Sequence, residues 1–135
     1  MPFVYKERIV KKMFKIENKQ ILLTRGDIAN IGVNTKNEDG TNYEFKVGDV
    51  VRFTVFKKKD CNCVVLTKDI TVDTPTMEVD INLTRADTKI EGIISKPVDY
   101  WYEVVLNPET NPQTIIGYDT DGAKTLTLYP EASDE

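Results

Sequence analysis

Apolar and polar residues alternate with a period of two along most of this chain, the spacing that turns one face of an extended strand toward a core and the other toward water. In Val50-Val-Arg-Phe-Thr-Val-Phe56, Val51, Phe53 and Val55 share one face, and Val50, Arg52, Thr54 and Phe56 share the other, as expected for a central strand. Met77, Val79, Ile81 and Leu83 alternate most regularly. Shorter runs of the same kind occur around Ile21 and Leu23, from Ile28 through Ile31 to Val33, at Phe45 and Val47, and at Val64-Val-Leu-Thr67. Val98 to Leu106, Gln113 to Tyr118, and Leu126 with Leu128 complete the set. Phe14 and Ile16 alternate with Lys15 and Glu17, whereas Ile9, Val10, Met13 and Phe14 follow helical spacing. The reading adopted is a loose lead-in followed by a strand over Met13 to Glu17.

Turn chemistry separates these runs. Gly26-Asp27, Asp39-Gly40, Gly48-Asp49 and Asp121-Gly122 accept the positive φ of tight turns, and Pro130 stops the last strand. Asn37 to Gly40 and Asp121-Gly122 are each expected to close a hairpin, and Lys57-Lys-Lys-Asp60 to make a charged turn. Thr84-Arg-Ala-Asp-Thr88 fits a short helical turn in which Thr84 caps with Asp87. The expected fold is all-β: a single immunoglobulin-like or jelly-roll-like antiparallel β-sandwich with at most a short helical turn. It spans residues 13–130, after an N-terminal extension over 1–12 and before an acidic, mobile tail over 131–135.

Composition narrows the function. At 135 residues and 40% hydrophobic content, one domain can bury a core without metal or disulfides. Eighteen basic and 22 acidic residues are scattered for a net charge of −4, so nucleic acid is not an expected partner. Histidine is absent, which removes the commonest general base and metal ligand. Cys61 and Cys63 supply two ligands where a structural zinc needs four, and are read as two thiols beside a strand hairpin. No catalytic residue, metal or cofactor is expected. No apolar run approaches the roughly 20 residues of a membrane span, and the N-terminus lacks a signal core. Membrane insertion is therefore not expected, and the protein should stay in the cytoplasm unless carried out within a larger particle.

Several motifs have a plain structural explanation. Arg25-Gly26-Asp27 matches a cell-adhesion tripeptide but also simply ends a strand. Leu23-Thr-Arg-Gly-Asp27 is echoed by Leu83-Thr-Arg-Ala-Asp87, which suggests equivalent strand-to-turn corners. Asp119-Thr-Asp-Gly122 begins like a calcium loop yet lacks the closing glutamate. Tyr100-Trp101-Tyr102 is a candidate carbohydrate platform, although one face of a sandwich strand must also be filled. The basic cluster Lys6, Arg8, Lys11 and Lys12 is a solvated face or a docking arm.

The order Ile21-Leu-Leu-Thr-Arg-Gly-Asp27, Asp39-Gly40, Gly48-Asp49-Val-Val-Arg-Phe-Thr-Val-Phe-Lys57 and Ile81-Asn-Leu-Thr-Arg-Ala-Asp-Thr88 resembles the N-terminal domain of phage baseplate upper proteins. The resemblance covers residues 13–130. It implies a β-sandwich attachment module in the tail of a phage, prophage or tail-like particle infecting a Gram-positive host. Such domains join the baseplate core to receptor-binding machinery by packing in symmetric copies. The family pattern continues into a stalk or receptor-binding region, whereas this sequence stops after the domain and adds residues 1–12 before it. The expected function is accordingly a non-enzymatic virion structural or adaptor protein, made in the bacterial host cytoplasm and assembled into the virion. Other tail or baseplate proteins, and further copies of this chain, are the expected partners. Lys6, Arg8, Lys11 and Lys12, with Asn107 and Pro112 in the loop Asn107 to Pro112, are the candidate assembly contacts. The alternatives are a stand-alone carbohydrate-binding module using Tyr100, Trp101 and Tyr102, and a capsid decoration or head-fibre protein.

Overall fold

Period-two runs become strands at nearly every expected place. The computed structural model describes residues 14–17, 20–57, 63–90, 92–117 and 124–131. In chain order the elements are β1 (Phe14–Glu17), β2 (Gln20–Thr24), β3 (Ala29–Val33), β4 (Val50–Phe56), β5 (Val64–Thr71), β6 (Val79–Leu83), α1 (Arg85–Thr88), β7 (Val98–Leu106), β8 (Gln113–Ile116) and β9 (Lys124–Tyr129). Among the described residues the chain is thus all-β apart from one helical turn. That turn carries the expected capping box: the Asp87 N–H donates to Thr84 Oγ1 at 3.2 Å, and the Thr84 N–H donates to Asp87 Oδ2 at 2.9 Å.

Seven strands form one sheet along the path β1-β2-β9-β7-β4-β5, with β8 paired to β7, and β3 pairs with β6 in a second sheet. The sandwich is mixed where an antiparallel one was expected, because β2 runs parallel to β9. As expected, β4 is an interior strand, between β5 and β7, and β7 has three partners. One edge of β7 is taken by β4, and the other by β9 over Val98 to Tyr102 and by β8 over Val104 to Leu106. Both β8 and β9 run antiparallel to β7 along that edge and do not pair with each other. The turn expected at Asp121-Gly122 lies outside the described residues, and the strands on either side of it, β8 and β9, each pair with β7. A turn-forming dipeptide permits reversal, and here each flanking segment finds its partner in β7.

The core lies between the sheets. Val51, Phe53 and Val55 are fully buried, and so are Leu126 and Leu128 beside them across β7. Val79, Ile81 and Leu83 close the core from the smaller sheet, with Ile31 and Val33. Ile28 and Met77, grouped by pattern with these runs, precede the strands and stay exposed. Removing a side chain such as Phe53 from water contributes roughly 1.5–3 kcal/mol.

At the Val98 end of β7 the two echoed corners meet. Gly26, at φ 90°, donates its N–H to Thr88 Oγ1 at 3.0 Å, and that hydroxyl donates to the Asp27 carbonyl at 2.8 Å. Arg25 is buried and pairs with Glu131 at 2.7 Å. The adhesion reading fails here, since the arginine is committed inside the protein. Glu131, expected in a mobile tail, is part of the body. Residues 1–12 and 132–135 lie outside the described residues.

Candidate functional site

The most organised polar cluster sits at the opposite, Leu106 end of β7. Beyond the Val51/Leu106 pair, Asn107 extends the β4–β7 ladder by one rung. Its N–H donates to the Val50 carbonyl at 2.7 Å, while its side-chain oxygen accepts the Val50 N–H at 2.9 Å. The φ of 50° needed for this is one that asparagine tolerates better than most residues. Its side-chain amide donates to Asp49 Oδ1 at 3.2 Å, and Asp49 Oδ2 accepts from the Tyr43 hydroxyl at 2.7 Å and the Lys46 N–H at 2.9 Å. The Lys46 ammonium stands 5.2 Å from the centre of the Tyr43 ring. One carboxylate ties the β3–β4 loop to the β7–β8 loop.

The electrostatics follow from this geometry. Burial acts to raise the Asp49 pKa, but the Lys46 N–H, the Tyr43 hydroxyl, the Asn107 amide and the Lys46 charge outweigh it and hold the group below the ordinary carboxylate value. Burial, then the hydrogen bond and charge of Asp49, push the Tyr43 phenol up to about 12. Both groups move away from neutral pH. These shifts favour the ionised carboxylate and the neutral phenol, the pair of states that the Tyr43–Asp49 hydrogen bond requires. Among the described residues no group of three or more His, Cys, Asp or Glu side chains is placed to hold a metal ion.

Beside the cluster lies a groove of about 430 Å³ between the Thr35 to Glu38 segment and β8, floored by Tyr43 and Leu106 and walled by Gln113, Thr114 and Ile115. Asn37 to Gly40 forms the expected turn, with the Gly40 N–H bonded to the Asn37 carbonyl at 3.0 Å and an antiparallel bridge joining Lys36 to Asn42. Pro112 is exposed next to Gln113 at the groove rim. The structure therefore separates the two loop residues proposed as contacts. Pro112 is open to a partner, whereas the Asn107 side chain is spent within the domain.

The aromatic triplet is divided by the strand it sits on. Tyr100 and Tyr102 point inward at 1% and 5% exposure, and Tyr102 packs 5.6 Å from Phe53 between ring centres. Trp101 faces the opposite side, across from Phe56. Alternation on β7 thus rules out a three-ring sugar platform. The outer sheet face carries Trp101 with Glu103, Val105 and Phe56, all half-buried and none packed on the core. Burial raises the Glu103 pKa. A hydrogen-bonded row crosses this face from Gln20 through Thr127 to Asp99, at 3.2 and 2.7 Å. A second polar group joins Arg52 to Asp69 at 2.8 Å and to Glu109 at 3.1 Å.

The remaining expected sites divide simply. Lys6, Arg8, Lys11 and Lys12 lie outside the described residues. Cys63, read as one of two thiols, is disulfide-bonded, and Cys61 also lies outside the described residues. Neither Asp49 nor Tyr43 was singled out by sequence; the only signal was the Gly48-Asp49 turn. No helix among the described residues is long and apolar enough to cross a membrane. Comparisons with protein-family models, with curated proteins and with solved structures find no match to this chain.

Proposed function

We propose that this chain is a non-enzymatic virion protein that docks in a phage tail baseplate through multivalent protein–protein contacts. The observation that carries the reading is the Asp49 cluster. It uses its polar groups to tie the β3–β4 and β7–β8 loops together beside an open groove. A rigid loop end beside a groove lowers the ordering cost of binding a folded partner. The resemblance of the strand-and-turn order to the N-terminal domain of baseplate upper proteins supplies the context.

Among the described residues β1 and β5, the outer strands of the seven-stranded sheet, are each hydrogen-bonded on one side only, which leaves both edges of that sheet for neighbours. Symmetric repetition makes modest contacts effective, because each contact becomes intramolecular once a neighbouring copy is bound. Deleting residues 2–12 tests the reading. The truncated chain should keep its β-sheet circular dichroism and lose self-association and recovery with tail proteins in a pull-down from particles. Unchanged association would remove the N-terminal segment from assembly, and no recovery of tail proteins by either form would contradict the baseplate reading.

A further inference from the structure

The outer edge of β5 presents an unused ladder of backbone groups. In an antiparallel pair, residues whose N–H and C=O groups face the partner strand alternate with residues whose groups point away from it. The Val50 N–H and C=O both bond Asn107 on the β7 side, which fixes the alternation along β4. Val50, Arg52 and Thr54 therefore turn toward β7, and their β5 partners Thr71, Asp69 and Thr67 turn their groups away from β4. The Val72 N–H, one position on, bonds the Asp49 carbonyl at 2.9 Å, in the phase this requires. Among the described residues β5 pairs with β4 alone, so the three N–H and three C=O groups of Thr67, Asp69 and Thr71 face outward unpaired. Their side chains are exposed as well. Native edges are ordinarily short, or guarded by proline, by a bulge or by charges. β5 runs for eight residues against four in β1, contains no proline, and shifts register only at its hairpin end. Its two charges are committed to its own domain: Asp69 accepts from Arg52 of β4 at 2.8 and 3.1 Å, and Lys68 meets Asp87 of α1 at 2.8 Å.

We infer that β5 pairs antiparallel with β5 of a second copy of this chain, across a two-fold axis at Asp69. The spacing of the outward groups selects the second copy. Thr67 and Thr71 lie symmetrically about Asp69 on the strand, so the two-fold sets Thr67 of one copy opposite Thr71 of the other and each N–H opposite a carbonyl. Every outward group is then bonded. The same symmetry puts threonine against threonine on the solvent face, a favourable cross-strand pair. The two Asp69 carboxylates meet at the axis, and each is already held back by the fork of its own Arg52. Such a contact is isologous and makes one sheet continuous through both copies. The inference rests on the assembly reading above and names the edge that carries it.

Sedimentation equilibrium on the full chain tests it. Thr67→Pro with Thr71→Pro removes two outward donors without touching a bond to β4, and edge strands accept proline where the N–H faces solvent. Wild-type protein should dimerise, and this variant should stay folded by circular dichroism and associate roughly tenfold more weakly or worse. Should it fail to fold, Thr67→Lys with Thr71→Lys serves in its place: every backbone bond is kept, and like charges set opposite each other should weaken the dimer. Oxidative cross-linking reads the register, since hydrogen-bonded partners stand about 5.5 Å apart at Cα, within disulfide reach. A mixture of Thr67→Cys and Thr71→Cys chains should give a disulfide-linked dimer that neither forms alone. Weakened association without that cross-link would mean that β5 receives a different strand, and overturns the inference. Undiminished association of the folded variant overturns it too, and the assembly reading then stands on other surfaces. A wild type that is monomeric at every concentration also removes the β5 dimer, whereas the assembly reading falls only if no tail protein is recovered in the pull-down.

Discussion

Asp49 ties Tyr43, Lys46 and Asn107 into one hydrogen-bonded unit, and its ionised form is what those donors favour. The folded pKa lies below the unfolded value, so the stabilisation is complete above about pH 4 and disappears as pH falls through the folded value. Asp49→Asn should lower stability by about 1–3 kcal/mol near neutral pH, as expected for losing a charged acceptor from a part-buried network. It should also make the loss of stability in acid shallower. Urea unfolding followed from neutral to acidic pH checks both, and wild-type stability with an unchanged acid limb would contradict the role given to Asp49. This network was scarcely legible in the sequence. Gly48-Asp49 signals a turn, but Asn107 is 58 positions away and carries no periodic mark. The inward tyrosines were more legible, because Tyr100 and Tyr102 keep step with Val104 and Leu106 on β7.

Elements followed local chemistry wherever that chemistry had one outcome. Thr84 and Asp87 have the spacing of a capping box, and α1 forms there with both reciprocal bonds. Asp87 has a second partner that no local rule identifies: the Lys68 ammonium on β5 meets its carboxylate at 2.8 Å. Thr84→Ala should therefore cost about 1 kcal/mol through the cap alone, and Asp87→Ala should cost more, because it removes the cap bond and the ion pair together. Chemical denaturation of both variants measures the difference. Equal costs would mean that the link between α1 and β5 contributes nothing. Strand pairing was less accessible than strand existence. Period-two spacing assigns faces but not neighbours, so the parallel β2/β9 pair and the shared edge of β7 emerge only when the whole sheet is assembled.

Over the whole molecule, a two-sheet core is closed at one end by the two LTR corners and at the other by the Asp49 cluster beside its groove. Among the described residues the outer strands of the larger sheet, β1 and β5, are each paired on one side only, and the outer face of that sheet carries Arg52 with Asp69, Glu109, Asp99 and Glu103. Each feature suits repeated packing against neighbours, and together with the resemblance they make the domain an assembly module in our account. Immunogold labelling of purified phage particles from the host carrying this gene tests that claim most directly. Label at the tail baseplate, with the chain present in several copies per particle by quantitative mass spectrometry, is the result the account predicts; particles that lack the chain would contradict it.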